Sequence, residues 1–167
     1  MRHALFFMVA IFCIMPASGA TNAGPALKVS RAEVPSAVEA ELSTREILCR
    51  LENLGDLVIP EGALASAELT GEGEREFIVT LCRLACSKNV PKVTAACDQS
   101  LIFISTAQGH EPVKMPGEVL DIRLRPGQPA KILSSSLSDH AACPVADGVC
   151  NPLYEIRGGE LVQAGIE

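Results

Sequence analysis

Residues 4–15 form an uninterrupted apolar run near the start of the chain. Arg2 and His3 precede this run, Pro16 ends it, and small residues occupy positions 18–20. A positive start, an apolar middle and a small-residue end are typical of a secretory signal peptide. The run of about 12 residues is shorter than the roughly 20 residues that a transmembrane helix needs. We therefore predict a signal peptide over residues 1–20 and a mature protein that is not embedded in the membrane.

Residues 21–40 show no sustained periodicity, so we expect a loose leader before a single domain over residues 41–167. Ser43 and Glu46 have the spacing of a capping box, in which each side chain bonds the other residue's backbone N–H. The apolar positions that follow on one helical face are Ile47, Leu48, Leu51 and Leu54. Gly55 is placed to end the helix. The pattern predicts one helix over residues 43–54, with Cys49 off its apolar face.

The rest of the chain carries strand patterns. Residues 77–85 and 100–106 are apolar and β-branched, residues 119–124 alternate in polarity, and residues 130–134 are a short further candidate. Pro126 and Gly127 supply a turn between the last two. Residues 153–163 form a predicted hairpin around Gly158 and Gly159. We therefore predict a mainly β (α+β) fold, an antiparallel sheet or small sandwich with one N-terminal helix.

The cysteine count indicates disulfide bonds. The chain has seven cysteines, of which Cys13 lies in the predicted signal peptide. The others are Cys49, Cys82, Cys86, Cys97, Cys143 and Cys150. An even number of cysteines behind an export signal is typical of disulfides formed in an oxidising compartment. We therefore expect a disulfide-stapled protein of the periplasm or the cell exterior.

These six cysteines allow many alternative pairings. If Cys82 and Cys86 lie on one extended strand, their Cα atoms are about 13 Å apart, beyond the roughly 7 Å that a disulfide tolerates. They should then take different partners. The favoured set is Cys49–Cys82, Cys86–Cys97 and Cys143–Cys150. In this set the first bond fixes the helix to the sheet, and the other two close loops.

An acidic segment, residues 68–76, precedes the first predicted strand. Oxygen-bearing side chains occupy its first, third, fifth and ninth places and a glycine its sixth, the spacing used by calcium loops. Residues 68–79 resemble the calcium loop and strand of FG-GAP and VCBS-like repeat modules of exported bacterial proteins. The resemblance implies calcium as the ion. The implied ligands are the side chains of Glu68, Thr70, Glu72 and Glu76 and the carbonyl oxygen of Glu74. The alternative is a solvated acidic turn that keeps the bend without an ion.

The charge balance is acidic. The chain has 20 Asp and Glu residues against 14 Lys and Arg residues, with a net charge of −6. This argues against nucleic acid, whose phosphates favour clustered basic side chains. A basic protein partner would suit the chain better. With no tryptophan and only Tyr154 as tyrosine, an aromatic platform for sugars is not expected.

Candidate catalytic residues are few. Beyond the predicted signal peptide the chain has two histidines, His110 in a predicted loop and His140 after a serine-rich stretch. Asp139 and His140 lie too close in sequence to form a triad with those serines, because triad residues converge from separate elements. Motifs such as Cys-x-x-Cys or His-Glu-x-x-His do not occur. An unrecognised hydrolase is the remaining catalytic alternative.

We therefore expect a binding protein that is not an enzyme. His110 and His140 are the candidate contacts with a protein partner. The concrete form of this hypothesis is an exported inhibitor or immunity protein that acts on a cell-wall hydrolase, by analogy at the level of protein class. The alternative function is a calcium-dependent structural or adhesion module.

Overall fold

The computed structural model describes residues 26–88, 99–125, 128–135 and 151–167. A 3-10 helix at Arg31–Glu33 precedes helix α1 at Ser36–Leu51, and another 3-10 helix covers Leu81–Arg83. The strands are β1 (Leu27–Lys28), β2 (Leu57–Val58), β3 (Leu64–Ala67), β4 (Glu76–Thr80), β5 (Ala85–Cys86), β6 (Gln99–Thr106), β7 (Gly109–Pro116), β8 (Glu118–Arg125), β9 (Gln128–Ser135), β10 (Pro152–Arg157) and β11 (Glu160–Ile166). Within the ranges described, no helix is long and apolar enough to span a bilayer.

Several sequence predictions concern residues outside these ranges. They are the signal peptide at residues 1–20, the turn at Pro126 and Gly127, and the residues Cys97, His140, Cys143 and Cys150. The pairing Cys143–Cys150 therefore stays a prediction.

The strands form two larger sheets and one short ladder, all with antiparallel pairing. The first sheet has the order β1-β3-β4-β6-β7, and the second has the order β11-β10-β9-β8. The two-residue strands β2 and β5 pair separately. A mainly β fold with antiparallel sheets and one N-terminal helix is thereby confirmed.

The two sheets enclose the larger hydrophobic core. The first sheet and its loops contribute Ala67, Leu69, Ile78, Ile102, Ile104 and Met115, and the second sheet contributes Ala130, Ile132, Tyr154 and Ile156. Helix α1 covers the opposite face of the first sheet, where Val38 and Leu42 pack with Leu64, Val79, Leu101 and Phe103. The described residues therefore form three layers, the helix, the first sheet and the second sheet.

The pleat of the central strands explains this layering. Side chains alternate between the two faces of a strand, so Ile78 and Ile102 enter the core between the sheets while Val79 and Phe103 face the helix. Both faces of β4 and β6 are thus buried. This agrees with the nearly continuous apolar character of these segments in the sequence.

Helix α1 begins earlier than predicted. It spans Ser36–Leu51, so the segment expected to be a loose leader contains its first turns and strand β1. The predicted capping box is wrong, because Ser43 lies inside the helix and its hydroxyl donates to Glu39. The Ser-x-x-Glu pattern instead works at Ser30 and Glu33, where the Glu33 carboxylate accepts the backbone N–H and the hydroxyl of Ser30. The sequence signature was valid but was assigned to the wrong position.

The predicted strand 77–85 is interrupted. Strand β4 ends at Thr80, and the 3-10 helix that follows places Cys82 outside any strand. Cys86 lies on β5 and forms a disulfide with Cys49 of helix α1, with Cα atoms 5.5 Å apart. The predicted pairings Cys49–Cys82 and Cys86–Cys97 are therefore wrong. Cys82 is also disulfide-bonded.

The C-terminal hairpin is confirmed. Strands β10 and β11 pair from Arg157 and Glu160 outward, across a two-residue turn. Gly158 and Gly159 have φ values of 59° and 83°, the left-handed backbone that such a turn requires at both central positions.

The chain crosses from the first sheet to the second at Gly117, between β7 and β8. Its φ is 76°, and an added Cβ atom would lie 1.3 Å from the carbonyl oxygen of Ser135. The Gly117 carbonyl also accepts the Ser100 hydroxyl at 2.9 Å. A side chain at this position would therefore collide with the backbone of β9, in addition to the strain of a positive φ.

We expect Gly117→Ala to lower the free energy of unfolding by more than about 3 kcal/mol, because backbone clashes add to backbone strain. Gly109→Ala is the matched control, since Gly109 also has a positive φ, 122°, but an added Cβ would meet no atom within 4 Å. The control should cost about 1–3 kcal/mol. Urea unfolding measures both, and equal losses would contradict the close approach at Gly117.

Candidate functional site

The acidic segment forms the connection between β3 and β4. Gly71 and Gly73 both have positive φ values, 85° and 89°, so the predicted glycine bend is present. The Glu68 carboxylate accepts hydrogen bonds from the backbone N–H groups of Gly71 and Gly73. This carboxylate thus stabilises the bend of its own loop.

Glu76 closes the other end of the loop. Its side chain is fully buried, and its carboxylate accepts the Leu69 N–H at 2.6 Å and the Thr70 hydroxyl at 3.2 Å. Burial raises the pKa of Glu76 above its ordinary value, while the bonds from Leu69 and Thr70 act in the opposite direction. A single buried acid therefore links β3 to β4.

The structure does not gather the predicted calcium ligands around one point. Glu68 bonds backbone N–H groups, Thr70 bonds Glu76, and Glu72 and Glu74 are exposed. Among the described residues, no three acidic, histidine or cysteine side chains are grouped so that they could hold a metal ion. Calcium binding at this loop remains a prediction.

His110 lies at the start of strand β7 and not in a loop. Its Nε2 atom is 3.4 Å from the carbonyl oxygen of Arg75, a contact that requires the proton on Nε2. The ring also packs edge-to-face on Phe77, with centroids 5.4 Å apart. These contacts fix the position of His110 against the start of β4, and its role toward a partner stays a prediction.

Helix α1 has two apolar faces on opposite sides. Its buried face consists of Val38, Leu42 and Cys49, and the last of these was expected to lie at the flank. The predicted apolar face is the exposed one, because Ile47, Leu48 and Leu51 are 56%, 50% and 74% exposed. At about 100° per residue, these three positions lie opposite the buried set. We call Ile47, Leu48 and Leu51 the outer helix face.

Ion pairs flank the outer helix face on both sides. Arg45 pairs with Glu41 at 2.7 Å on one side. On the other side, Glu46 pairs with Arg50 at 2.6 Å and with Arg31 at 2.8 Å. The charged side chains of these pairs are therefore neutralised within the chain, whereas the carboxylate of Glu52, at the end of the helix, has no ion pair among the described residues. An apolar stripe bordered by paired charges can contact another apolar surface without leaving an unpaired buried charge.

A cavity of about 290 Å³ adjoins the outer helix face. Leu48 lines it together with Leu57, Leu84 and the Cys49–Cys86 disulfide. The disulfide thus fixes the helix to the β2-β5 ladder beside the cavity. Sequence reasoning missed this site because the predicted helix begins at residue 43, which leaves Leu42 before its start and Val38 in the predicted loose leader over residues 21–40. The signal was present, since apolar residues recur at Val38, Leu42 and Cys49.

The raised pKa of Glu76 predicts a pH effect on stability. The folded protein binds the proton of Glu76 more tightly than the unfolded chain does. The free energy of unfolding that Glu76 contributes is therefore fully present below the ordinary glutamate pKa. It is lost as pH rises toward the folded pKa. Glu76→Gln keeps an acceptor for the Leu69 N–H but cannot titrate. We therefore expect the stability of the variant relative to the native protein to increase from pH 4 to pH 7.

Urea unfolding at several pH values measures this difference. Glu74→Gln is the control, because Glu74 is an exposed acid on the same loop. An increase with pH as large for Glu74→Gln as for Glu76→Gln would show that the effect does not arise from the burial of Glu76. If plots of the free energy of unfolding against pH ran parallel for the native protein and Glu76→Gln, Glu76 would not titrate between these pH values.

Comparisons with protein-family models, curated proteins and solved structures find no match to this chain. Its function must therefore be argued from its own residues.

Proposed function

We propose that the mature chain is a non-catalytic exported binding protein that contacts a protein partner through the outer helix face. The observation that carries this proposal is the exposure of Ile47, Leu48 and Leu51 on a helix whose opposite side is already buried. Single exposed apolar residues are common on protein surfaces, whereas a contiguous group is typical of interaction sites.

The neighbouring cavity strengthens this proposal. Interfaces obtain most of their affinity from a few side chains that enter pockets near the centre of the contact. The cavity between Leu48, Leu57 and Leu84 is such a pocket beside the exposed stripe. The helix is also held at its C-terminal end by the Cys49–Cys86 bond, so its surface is ordered before binding. A preordered surface loses less conformational entropy on association.

A cell-wall hydrolase is the proposed partner. The net charge of −6 favours a basic partner through long-range attraction, and export would place the two proteins in the same compartment. The protein would act as an inhibitor or immunity protein of that enzyme. His110 and His140 remain proposed additional contacts, and helix α1 packs near β7, the strand that carries His110.

We expect the purified mature protein to slow lysis of a peptidoglycan suspension by lysozyme or by a peptidoglycan amidase. The double substitution Ile47→Ser with Leu51→Ser should weaken this inhibition by at least about 30-fold, because hot-spot side chains contribute about 2 kcal/mol or more. Loss of clearing in a turbidity assay is the measurement.

Leu120→Ser is the matched control. Leu120 is 50% exposed on β8 of the second sheet, so its substitution removes one exposed apolar side chain from the sheet that helix α1 does not cover. The control should inhibit like the native protein. Undiminished lysis by both enzymes in the presence of native protein would overturn the inhibitor hypothesis. Equal effects of the two substitutions would overturn the outer helix face as the contact surface.

The second candidate function is a calcium-dependent structural or adhesion module. It is favoured by the glycine bend at Gly71 and Gly73 and by the exposed carboxylate of Glu72, one of the predicted ligands. In this function Glu68 and Glu76 would have to exchange their backbone and hydroxyl donors for an ion. Because calcium binding would require the loss of these hydrogen bonds, the binding protein is the favoured function.

Thermal melting in 5 mM CaCl2 and in EDTA separates the two functions. We expect the same melting temperature in both solutions for a binding protein whose loop is closed by internal hydrogen bonds. An ion bound only by the folded state would raise the melting temperature in calcium. A rise that Glu72→Gln abolishes would favour the calcium-dependent module.

A further inference from the structure

A second and larger cavity opens at one end of the two packed sheets. It has a volume of about 520 Å³ and lies between the end of β6, the acidic loop before β4, the start of β9 and the β10–β11 turn. We call it the interlayer cleft. Small-molecule sites usually have volumes of about 300–1,000 Å³, so the cleft is large enough for a small ligand.

The cleft combines an apolar base with polar walls. Ile104 and Ile156 are 4% and 2% exposed and belong to the core between the sheets. Ser105 and Thr70 add hydroxyl groups to the lining. A few polar groups over a hydrophobic base are the usual composition of a ligand site.

Two opposite charges line the cleft. Glu72 is exposed, and among the described residues no hydrogen bond or ion pair engages its carboxylate. Arg157 donates to Glu155 through Nε at 3.0 Å and Nη2 at 2.6 Å. Nη1 is the guanidinium nitrogen that these bonds leave for another acceptor. The cleft therefore offers a ligand the unpaired carboxylate of Glu72 and the Nη1–H donors of a guanidinium that already carries one ion pair with Glu155.

The backbone of the β10–β11 turn is also accessible. At Gly158 and Gly159 an added Cβ atom would meet no other atom within 4 Å. Both glycines line the cleft. A ligand can therefore approach the peptide groups of the turn without displacing a side chain.

We infer that the interlayer cleft binds a short peptide with free termini, its ammonium group at Glu72 and its carboxylate at Arg157. A single guanidinium suits one carboxylate, whereas a nucleotide would bring several phosphate charges against Glu72. Small aliphatic side chains of the peptide would contact Ile104 and Ile156. The cleft lies between the two sheets, and the outer helix face lies beyond the first sheet, so this ligand site is separate from the proposed partner surface.

Isothermal titration of the mature protein with three probes tests this inference. The probes are L-alanyl-L-alanine, its N-acetyl derivative and its C-terminal amide. We expect the free dipeptide to bind and each blocked form to bind at least about tenfold more weakly, because each loses one charged contact. Absence of binding by the free dipeptide at 20 mM, or equal affinities for the three probes, would overturn the inference.

Two substitutions assign each terminus to its residue. In Glu72→Gln, N-acetylation should no longer lower the affinity, while amidation should still do so. In Arg157→Gln the pattern should reverse. If either substitution lowered the affinity for all three probes equally, the peptide terminus assigned to that residue would be wrong.

Three controls complete the experiment. Glu74→Gln removes an exposed acid of the same loop that does not line the cleft, so it should bind all three probes like the native protein. Arg157→Gln leaves the nearly buried Glu155 without its ion pair, so its melting temperature is measured first. Arg157→Lys keeps the positive charge and should restore the preference for a free carboxylate. If Arg157→Lys showed no such preference, the role of Arg157 would be refuted.

Discussion

Strands β4 and β6 carry apolar side chains on both faces, and the burial of both faces determines how the other described elements are arranged. Ile78 and Val79 point to opposite faces of the first sheet. Both side chains are removed from water only if one layer packs on each face of that sheet. The second sheet covers one face and helix α1 covers the other. The crossover at Gly117 allows the chain to leave the first sheet and begin the second within a single residue.

The strand patterns predicted the segments of β4, β6, β8, β9 and the β10–β11 hairpin, but not β1, β2, β3 or β7. The apolar segment at residues 100–106 and the glycine hairpin after β10 occur where the sequence placed them, because both depend on local alternation and on turn residues. The helix was harder to predict. It carries two apolar faces, and periodicity cannot decide which of them meets the sheet. The pairings Cys49–Cys82 and Cys86–Cys97 failed for a related reason, since the break after Thr80 lies within a largely apolar run.

The acidic loop shows the same division between local geometry and side-chain role. Glycines at positions 71 and 73 predicted the bend correctly, because glycine adopts the positive φ of such a bend without a steric penalty. The hydrogen-bond partners of Glu68 and Glu76 depend on which backbone N–H groups the bend exposes. The spacing of residues in the sequence does not predict these partners. Glu72 is left outside these internal bonds. Glu74 is also outside them, but of these two acids it is Glu72 that lines the neighbouring cleft, where the proposed ligand would meet it.

The Cys49–Cys86 disulfide joins helix α1 to the β2-β5 ladder. The outer helix face therefore has a fixed arrangement only after this bond has formed. With both sulfurs reduced, the helix would be held to the sheet chiefly by Val38 and Leu42, which lie in its first half, and its far end could fray. Ile47, Leu48 and Leu51 all belong to that far end. A chain still in a reducing environment would therefore present these residues in no constant arrangement, and the proposed contact surface would form only on oxidation.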